Sequence, residues 1–129
     1  MSSIRPGMID HLSLQVADVV RSSAFYEALL APLGLRAAYT DGDAVGFAND
    51  EGAPFWILPA ARNADRELHF AFSAPTRAVV RQFGEAALAL GAEILHEPRL
   101  FPEYGPGYFG CFVRDPDGHN VEAVCRTAE

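Results

Sequence analysis

The sequence predicts an α+β fold of two tandem βαβββ modules that form a shared curved-sheet cleft. Three observations indicate this fold: short segments alternate apolar and polar residues, two amphipathic segments begin at polar caps, and the whole pattern occurs twice in 129 residues. A half of about 60 residues buries too little apolar surface to be stable alone, so the two should share a core. We therefore expect a single domain over residues 1–129, with modules at residues 8–62 and 64–126.

Composition excludes several classes of function. The chain carries 17 acidic residues against 10 basic ones, for a net charge of −7. This excess of negative charge argues against binding to nucleic acid or to an anionic membrane. No apolar run approaches the roughly 20 residues of a membrane span. Cys111 and Cys125 are too far apart for a CxxC motif, and no charged-then-apolar leader precedes Met8. These features predict a cytoplasmic protein with reduced thiols.

The first module begins with a strand at residues 9–16, whose apolar and polar side chains alternate cleanly. Asp18 then offers an N-cap for an amphipathic helix that runs to about Ala31. Three short strands are expected to follow, at residues 35–40, 44–48 and 54–58.

The second module repeats this order. Residues 67–73 alternate like the first strand, Thr76 caps a second helix through about Leu90, and Gly91 ends it. The offset of 58 residues that relates His11 to His69 also relates Asp18 to Thr76. One offset that holds for many positions indicates an internal repeat.

The chain ends in a predicted antiparallel hairpin around the turn Asp115-Pro116-Asp117-Gly118. This turn sets Phe112 opposite Glu122, with Arg114 and Asn120 on the same face and Val121 on the other.

The second repeat is longer than the first. Near the ends of the modules the offset grows to 66 residues, which relates Trp56 to Glu122. The difference locates an insertion at residues 97–107, a stretch rich in Pro and Gly.

Four motifs stand out along the chain: Asp10-His11-Leu-Ser-Leu, the Phe25-Tyr26 helix, Leu68-His69-Phe and Asp115-Pro-Asp-Gly-His-Asn-Val-Glu122. Together they resemble the vicinal oxygen chelate superfamily, over nearly the whole chain. Its members include glyoxalase I, extradiol dioxygenases, fosfomycin-resistance thiol transferases and bleomycin-resistance proteins. The resemblance implies a small-molecule substrate or ligand and a homodimer.

The resemblance also implies a metal site. In metal-dependent members the first and last strands of each half supply ligands, and these positions are His11, Trp56, His69 and Glu122 in this chain. Trp56 cannot bind a metal, so the second carboxylate of a glyoxalase I site is absent. Two imidazoles and one carboxylate suit one divalent ion, Fe, Mn, Zn or Ni, with open positions for a substrate. By the same resemblance Glu122 is the candidate catalytic base.

Six residues are expected to line the substrate cleft beside these ligands. Tyr104 and Tyr108 flank Gly105-Pro106-Gly107, where they either close over a ligand or cap the edge of the core. Trp56 is either a wall of the cleft or a core residue, and Arg114 meets either an anionic substrate or a cross-strand partner. The full set is Trp56, Tyr104, Tyr108, Phe112, Arg114 and Asn120.

Two functions of different classes are compatible with these residues. The first is a metal-dependent enzyme in which the ion chelates two neighbouring oxygens of a small substrate and stabilises developing negative charge. The second is a metal-free protein that sequesters a ligand in its cleft, as bleomycin-resistance proteins do. The matched pair of histidines favours the first function, whereas Trp56 and the aromatic cleft favour the second.

Overall fold

The computed structural model describes residues 11–60 and 68–127, which form two α+β modules with the same order of elements. This arrangement confirms the predicted fold class. The first module contains β1 (Leu12–Val16), α1 (Val19–Leu30), β2 (Arg36–Asp41), β3 (Ala44–Asn49) and β4 (Gly52–Pro59). The second contains β5 (His69–Ser73), α2 (Arg77–Ala89), β6 (Ile94–Leu100), β7 (Phe109–Arg114) and β8 (Asn120–Cys125). Short 3-10 turns lie at Ala31–Leu33 and Pro102–Tyr104.

Each module builds one four-stranded mixed sheet, with strand orders β1-β4-β3-β2 and β5-β8-β7-β6. The first strand of each module pairs in parallel with the last, and the other pairs are antiparallel. Trp56 lies opposite Gly46 on β3, and Glu122 lies opposite Phe112 on β7. Trp56 and Glu122 therefore hold equivalent positions in the two sheets.

Both helices begin where their caps predict. The side chain of Asp18 accepts a hydrogen bond from the backbone N–H of Arg21 (3.1 Å), and Thr76 accepts one from Val79 (3.2 Å). Each bond satisfies one of the N–H groups that a helix N-terminus leaves without a partner. The second helix is followed by Gly91, whose φ of 72° is the left-handed conformation that Gly adopts without strain.

The insertion was predicted at residues 97–107, and its predicted first residue is wrong. Strand β6 continues through Pro98 to Leu100, so the irregular segment is confined to residues 101–108. The pairing of β6 with β7 shifts register at two places, between Ile94 and His96 and between His96 and Arg99. Such bulges accommodate a proline, which has no N–H to donate to the neighbouring strand. Predicted strand residues 9, 10 and 67, and the predicted module boundary, lie outside the described residues.

The main hydrophobic core lies between the sheets and the two helices. Leu14 and Val16 from β1 and Val121 and Ala123 from β8 point into it, as alternation predicts. A second, smaller cluster lies on the opposite face of the second sheet and contains Phe101, Tyr108, Phe112 and Val124. The second sheet is therefore packed with apolar side chains on both faces.

The turn before β8 connects the two modules. Asp115 is buried, and its Oδ2 accepts a hydrogen bond from the hydroxyl of Tyr26 on α1 (2.6 Å). Its Oδ1 accepts the backbone N–H groups of Asp117 (2.9 Å) and His119 (2.8 Å). Asp117 in turn accepts the N–H of Ala17 (3.2 Å) from the first module. Burial, and then the nearby Asp115 carboxylate, raise the pKa of the Tyr26 hydroxyl, which therefore stays protonated as a donor.

In the described ranges, the helices are too short and too polar to cross a membrane.

Replacing Tyr26 with Phe should destabilise the protein by about 1–3 kcal/mol, because a buried carboxylate oxygen of Asp115 loses its hydroxyl partner. Urea denaturation of wild-type protein and variant at one pH measures this difference. Tyr39→Phe is the matched control, since that ring is 54% exposed. Equal stability of the Tyr26 variant and the wild type would contradict the role of this hydrogen bond.

Candidate active site

Glu122 is a buried carboxylate at the centre of the candidate site. It lies on β8 with 2% of its side chain exposed. The Nε2 atom of His69 on β5 lies 3.0 Å from its Oε1, and the hydroxyl of Tyr108 donates a hydrogen bond to its Oε2. A buried charge is costly unless it is paired and hydrogen-bonded. Both oxygens of Glu122 have such a partner.

Tyr108 reaches Glu122 from the end of the irregular segment. Burial, and then the hydrogen bond to Glu122, raise the pKa of the Tyr108 hydroxyl to about 12, although the charge of Arg126 acts in the opposite direction. The Arg126 guanidinium lies 4.9 Å from the centre of the Tyr108 ring. The hydroxyl therefore remains a proton donor at neutral pH.

An aromatic cluster surrounds this hydrogen bond. Phe101 stacks on Tyr104, with ring centres 5.4 Å apart, and packs edge-on against Phe112 at 5.2 Å. Tyr108 is a buried member of the cluster, with 8% of its surface exposed. Tyr104 lies at the outside of the cluster, with 57% of its surface exposed. The segment at residues 101–108 thus covers the face of the second sheet that carries Glu122.

His69 is the accessible member of the pair. Its side chain is 53% exposed, and its ring packs edge-on against Phe112 at 5.7 Å. Nε2 faces Glu122, and the rest of the ring is exposed at the edge of the aromatic cluster.

His11 and His69 line the same cleft between the modules. The cleft has a volume of about 700 Å³, within the range of small-molecule sites, and Phe55, Phe70 and Phe72 form part of its wall. Over residues 11–60 and 68–127, no three His, Cys, Asp or Glu side chains come close enough together to hold a metal ion. The structure therefore pairs His69 with Glu122 and places His11 apart from that pair.

Trp56 and Tyr39 form a flat aromatic surface on the first sheet, which we call the aromatic shelf. The indole of Trp56 lies flat against Gly46, where a Cβ atom would come within 2.7–2.8 Å of the ring. The indole Nε1 donates to the carbonyl of Ala53 (3.1 Å), and the ring stacks with Tyr39 at 6.4 Å. At the position equivalent to Glu122, the first sheet thus presents an apolar surface.

Comparisons with known proteins agree with the fold and the repeat. A family model of the Glyoxalase/Bleomycin resistance protein/Dioxygenase superfamily matches residues 8–123. The chain belongs to this superfamily. No curated protein matches it at a significant level.

Solved structures of this superfamily superpose over most of the chain. A glyoxalase/bleomycin resistance protein from Albidiferax ferrireducens T118 is 26% identical with a TM-score of 0.72, over 93% of this chain and 100% of that one. A lactoylglutathione lyase from Agrobacterium tumefaciens is 24% identical with a TM-score of 0.68, over 93% and 94%. A glyoxalase/dioxygenase from Nostoc punctiforme is 19% identical with a TM-score of 0.68, over 99% of each chain. The last two support the fold alone.

Superfamily members generally bind a divalent metal, and two donors in this chain fit one. The separation of 3.0 Å between His69 Nε2 and Glu122 Oε1 is close to that of two neighbouring ligands, each about 2.1 Å from one ion. Glu122 Oε2, in contrast, already accepts the Tyr108 hydroxyl. The pair therefore offers one nitrogen and one oxygen.

Arg114 ends β7, and Asn120, which lies opposite it, begins β8. Arg114 donates to the carbonyl of Gly118 (2.7 Å), which braces the hairpin turn. Asn120 lies opposite His69, and its buried Oδ1 has no hydrogen-bond partner within the described residues. His119, on the other face, is buried and accepts the N–H of Leu68 through Nδ1 (2.9 Å). We assign His119 a structural role.

Two glycines also shape the site, although neither was predicted from the sequence. Gly46 makes room for the ring of Trp56, and a Cβ on Gly110 would lie 3.3 Å from both Glu122 Oε2 and Tyr108 Cε1. An isolated glycine inside a strand often marks the close approach of another group. Both positions carried this signal.

Replacing Gly46 with Ala should displace the indole of Trp56, because the added methyl group would overlap the ring. Trp56 is the only tryptophan, so its fluorescence emission reports the change directly. Gly84→Ala is the control, since it adds the same methyl group on α2 beside Pro98. Unchanged emission in the Gly46 variant, with the fold verified by circular dichroism, would contradict the close packing.

Proposed function

We propose that this protein is a divalent-metal-dependent enzyme that acts on a small substrate chelated through two neighbouring oxygens. The observation that carries the proposal is the His69–Glu122 pair, in which a buried carboxylate lies 3.0 Å from an exposed imidazole. Membership of the superfamily supports it, because metal binding is general there. A carboxylate with only a structural role would have no need of an accessible imidazole beside it.

A bound ion would act as a Lewis acid that stabilises oxyanion or enolate-like charge on the substrate. His69 and Glu122 would hold the ion, with His11 of a second copy of the chain as the third ligand. Glu122 would also serve as the catalytic base. The aromatic cluster excludes water from the buried side of Glu122. Trp56, stacked with Tyr39, would supply an apolar wall for the substrate. Lyase, isomerase, transferase and dioxygenase reactions are all compatible with this arrangement.

A second candidate function is metal-free sequestration of a ligand. It is favoured by the hydroxyl of Tyr108, which already engages one oxygen of Glu122, and by the shelf of Trp56 and Tyr39. Stacked aromatic rings bind flat apolar ligands without any chemical step. This function predicts tight ligand binding that a chelator does not change.

We further propose that a second copy of the chain completes the site. Among the described strands, β1 lies at one edge of the first sheet and β5 at one edge of the second, with one hydrogen-bonded neighbour each. Such edges present backbone groups that can pair with another chain. On the face opposite the core, Ser13 and Gln15 of β1 and Ala71 and Ser73 of β5 are exposed. A homodimer through these edges would bring the first sheet of one copy to the second sheet of the other.

Elemental analysis before and after chelation tests the metal. We expect near-stoichiometric Fe, Mn, Zn or Ni in wild-type protein, its loss in His69→Ala, and affinity at least about tenfold weaker in Glu122→Gln. His96→Ala is the control, because this exposed histidine packs against Phe101 and Phe112 on the same sheet. Wild-type protein that takes up no metal when offered it would reject the metal-dependent function and leave sequestration.

Mixing two variants tests whether the site spans two copies. His11→Ala and His69→Ala chains should each bind metal poorly, since each removes one proposed ligand. In mixed dimers one site would contain both alanines and the other would keep both histidines, so co-refolded chains should recover part of the wild-type metal content. Recovery of none, in a sample where native mass spectrometry of one isotope-labelled and one unlabelled variant shows mixed dimers, would place both histidines in a site within one chain.

A further inference from the structure

We propose that Tyr108 is a positioning residue for Glu122: the Tyr108 hydroxyl holds Oε2 so that only Oε1 is presented to His69. The hydrogen bond itself does not depend on the proposed function. The role of Oε1 as a ligand does rest on it.

The hydrogen bond joins two buried side chains in an apolar environment. Glu122 and Tyr108 are 2% and 8% exposed. Tyr108 belongs to the aromatic cluster with Phe101 and Phe112, and Glu122 lies opposite Phe112 on the neighbouring strand. A hydroxyl that donates to an ionised carboxylate forms one of the stronger hydrogen bonds in proteins. The terminal torsion of a free glutamate is broad. The hydrogen bond from the Tyr108 hydroxyl restricts this torsion and so fixes the orientation of the carboxylate group.

The chain around Tyr108 holds the ring in place. The N–H of Phe101 donates to the carbonyl of Tyr108 (2.8 Å), which closes the segment at residues 101–108 into a compact loop. The Tyr108 ring packs against Phe101 at 6.2 Å and Tyr104 at 5.4 Å, and the Arg126 guanidinium covers it. The fold of the loop therefore determines where the hydroxyl lies.

Gly110 gives the pair the room it needs. A Cβ atom at this position would lie 3.3 Å from both Glu122 Oε2 and Tyr108 Cε1. A methyl group there would press on both partners of the hydrogen bond at once. Because Gly110 has no side chain, this position of β7 leaves room for the Tyr108–Glu122 contact.

A carboxylate held in this way can offer a metal one oxygen only. Calcium commonly takes both oxygens of a carboxylate, whereas Zn(II) and similar ions are satisfied with one at about 2.1 Å. Tyr108 therefore contributes to selectivity for such ions over calcium. Removal of its hydroxyl frees Oε2 and should reduce that selectivity.

The first test uses metal-free protein. In carbon-13-labelled samples, the side-chain carboxyl resonance of Glu122 is identified by its loss in Glu122→Gln. We expect this resonance to shift in Tyr108→Phe, to shift less in Gly110→Ala, and to stay unchanged in Tyr104→Phe. Tyr104 is the matched control, since it lies in the same loop and is largely exposed. An unchanged resonance in a folded Tyr108→Phe variant would overturn the proposal.

The second test uses cobalt(II) and calcium(II) as probes. We expect Tyr108→Phe to alter the visible spectrum of the cobalt-loaded protein and to lower the ratio of cobalt to calcium affinity by about tenfold or more, with Tyr104→Phe like wild type. Wild-type protein that binds no cobalt would reject the proposed function, while the carboxyl resonance would still decide the hydrogen-bond role. Cobalt binding that is identical in wild type and Tyr108→Phe would reject the positioning role alone.

Discussion

The hydrogen bonds of Asp115 hold the two modules in one arrangement. Tyr26 reaches this carboxylate from α1, while the backbone of Asp117 and His119 binds its other oxygen within the turn that starts β8. Because Asp115 is buried, each bond that is lost would leave a polar group without water or a partner. The position of β8, and with it the position of Glu122, depends on this contact between a helix of one module and a turn of the other.

The two sheets share a topology but differ in what covers them. In the first sheet Trp56 lies on Gly46 and leaves an aromatic shelf at the surface. In the second sheet the equivalent position is Glu122, and the segment at residues 101–108 folds over it. This longer loop supplies Tyr108, so one insertion in the second repeat both buries the carboxylate and provides its donor. The two modules thus share a scaffold, and the difference between them creates the candidate site.

Superfamily membership and the geometry of the site answer different questions. The fold is common to proteins that are described as lyases, dioxygenases or resistance proteins, so it limits the chemistry only broadly. The specific features of this chain are an imidazole and a carboxylate side by side, one oxygen of which is held by a tyrosine. These features favour the proposed ion, which would be bound through one oxygen and one nitrogen.

The sequence alone determined the elements, the repeat and the hairpin register. Caps at Asp18 and Thr76 and the period of two in the strands are local signals, and each acts over a few residues. The tertiary structure decided the rest. It extended β6 past Pro98, because bulges in a paired strand tolerate a residue that sequence rules treat as a break. It set Tyr108 against Glu122 and separated His11 from that pair. Contacts between residues far apart in the chain depend on how sheets and loops pack, and no local pattern records that packing.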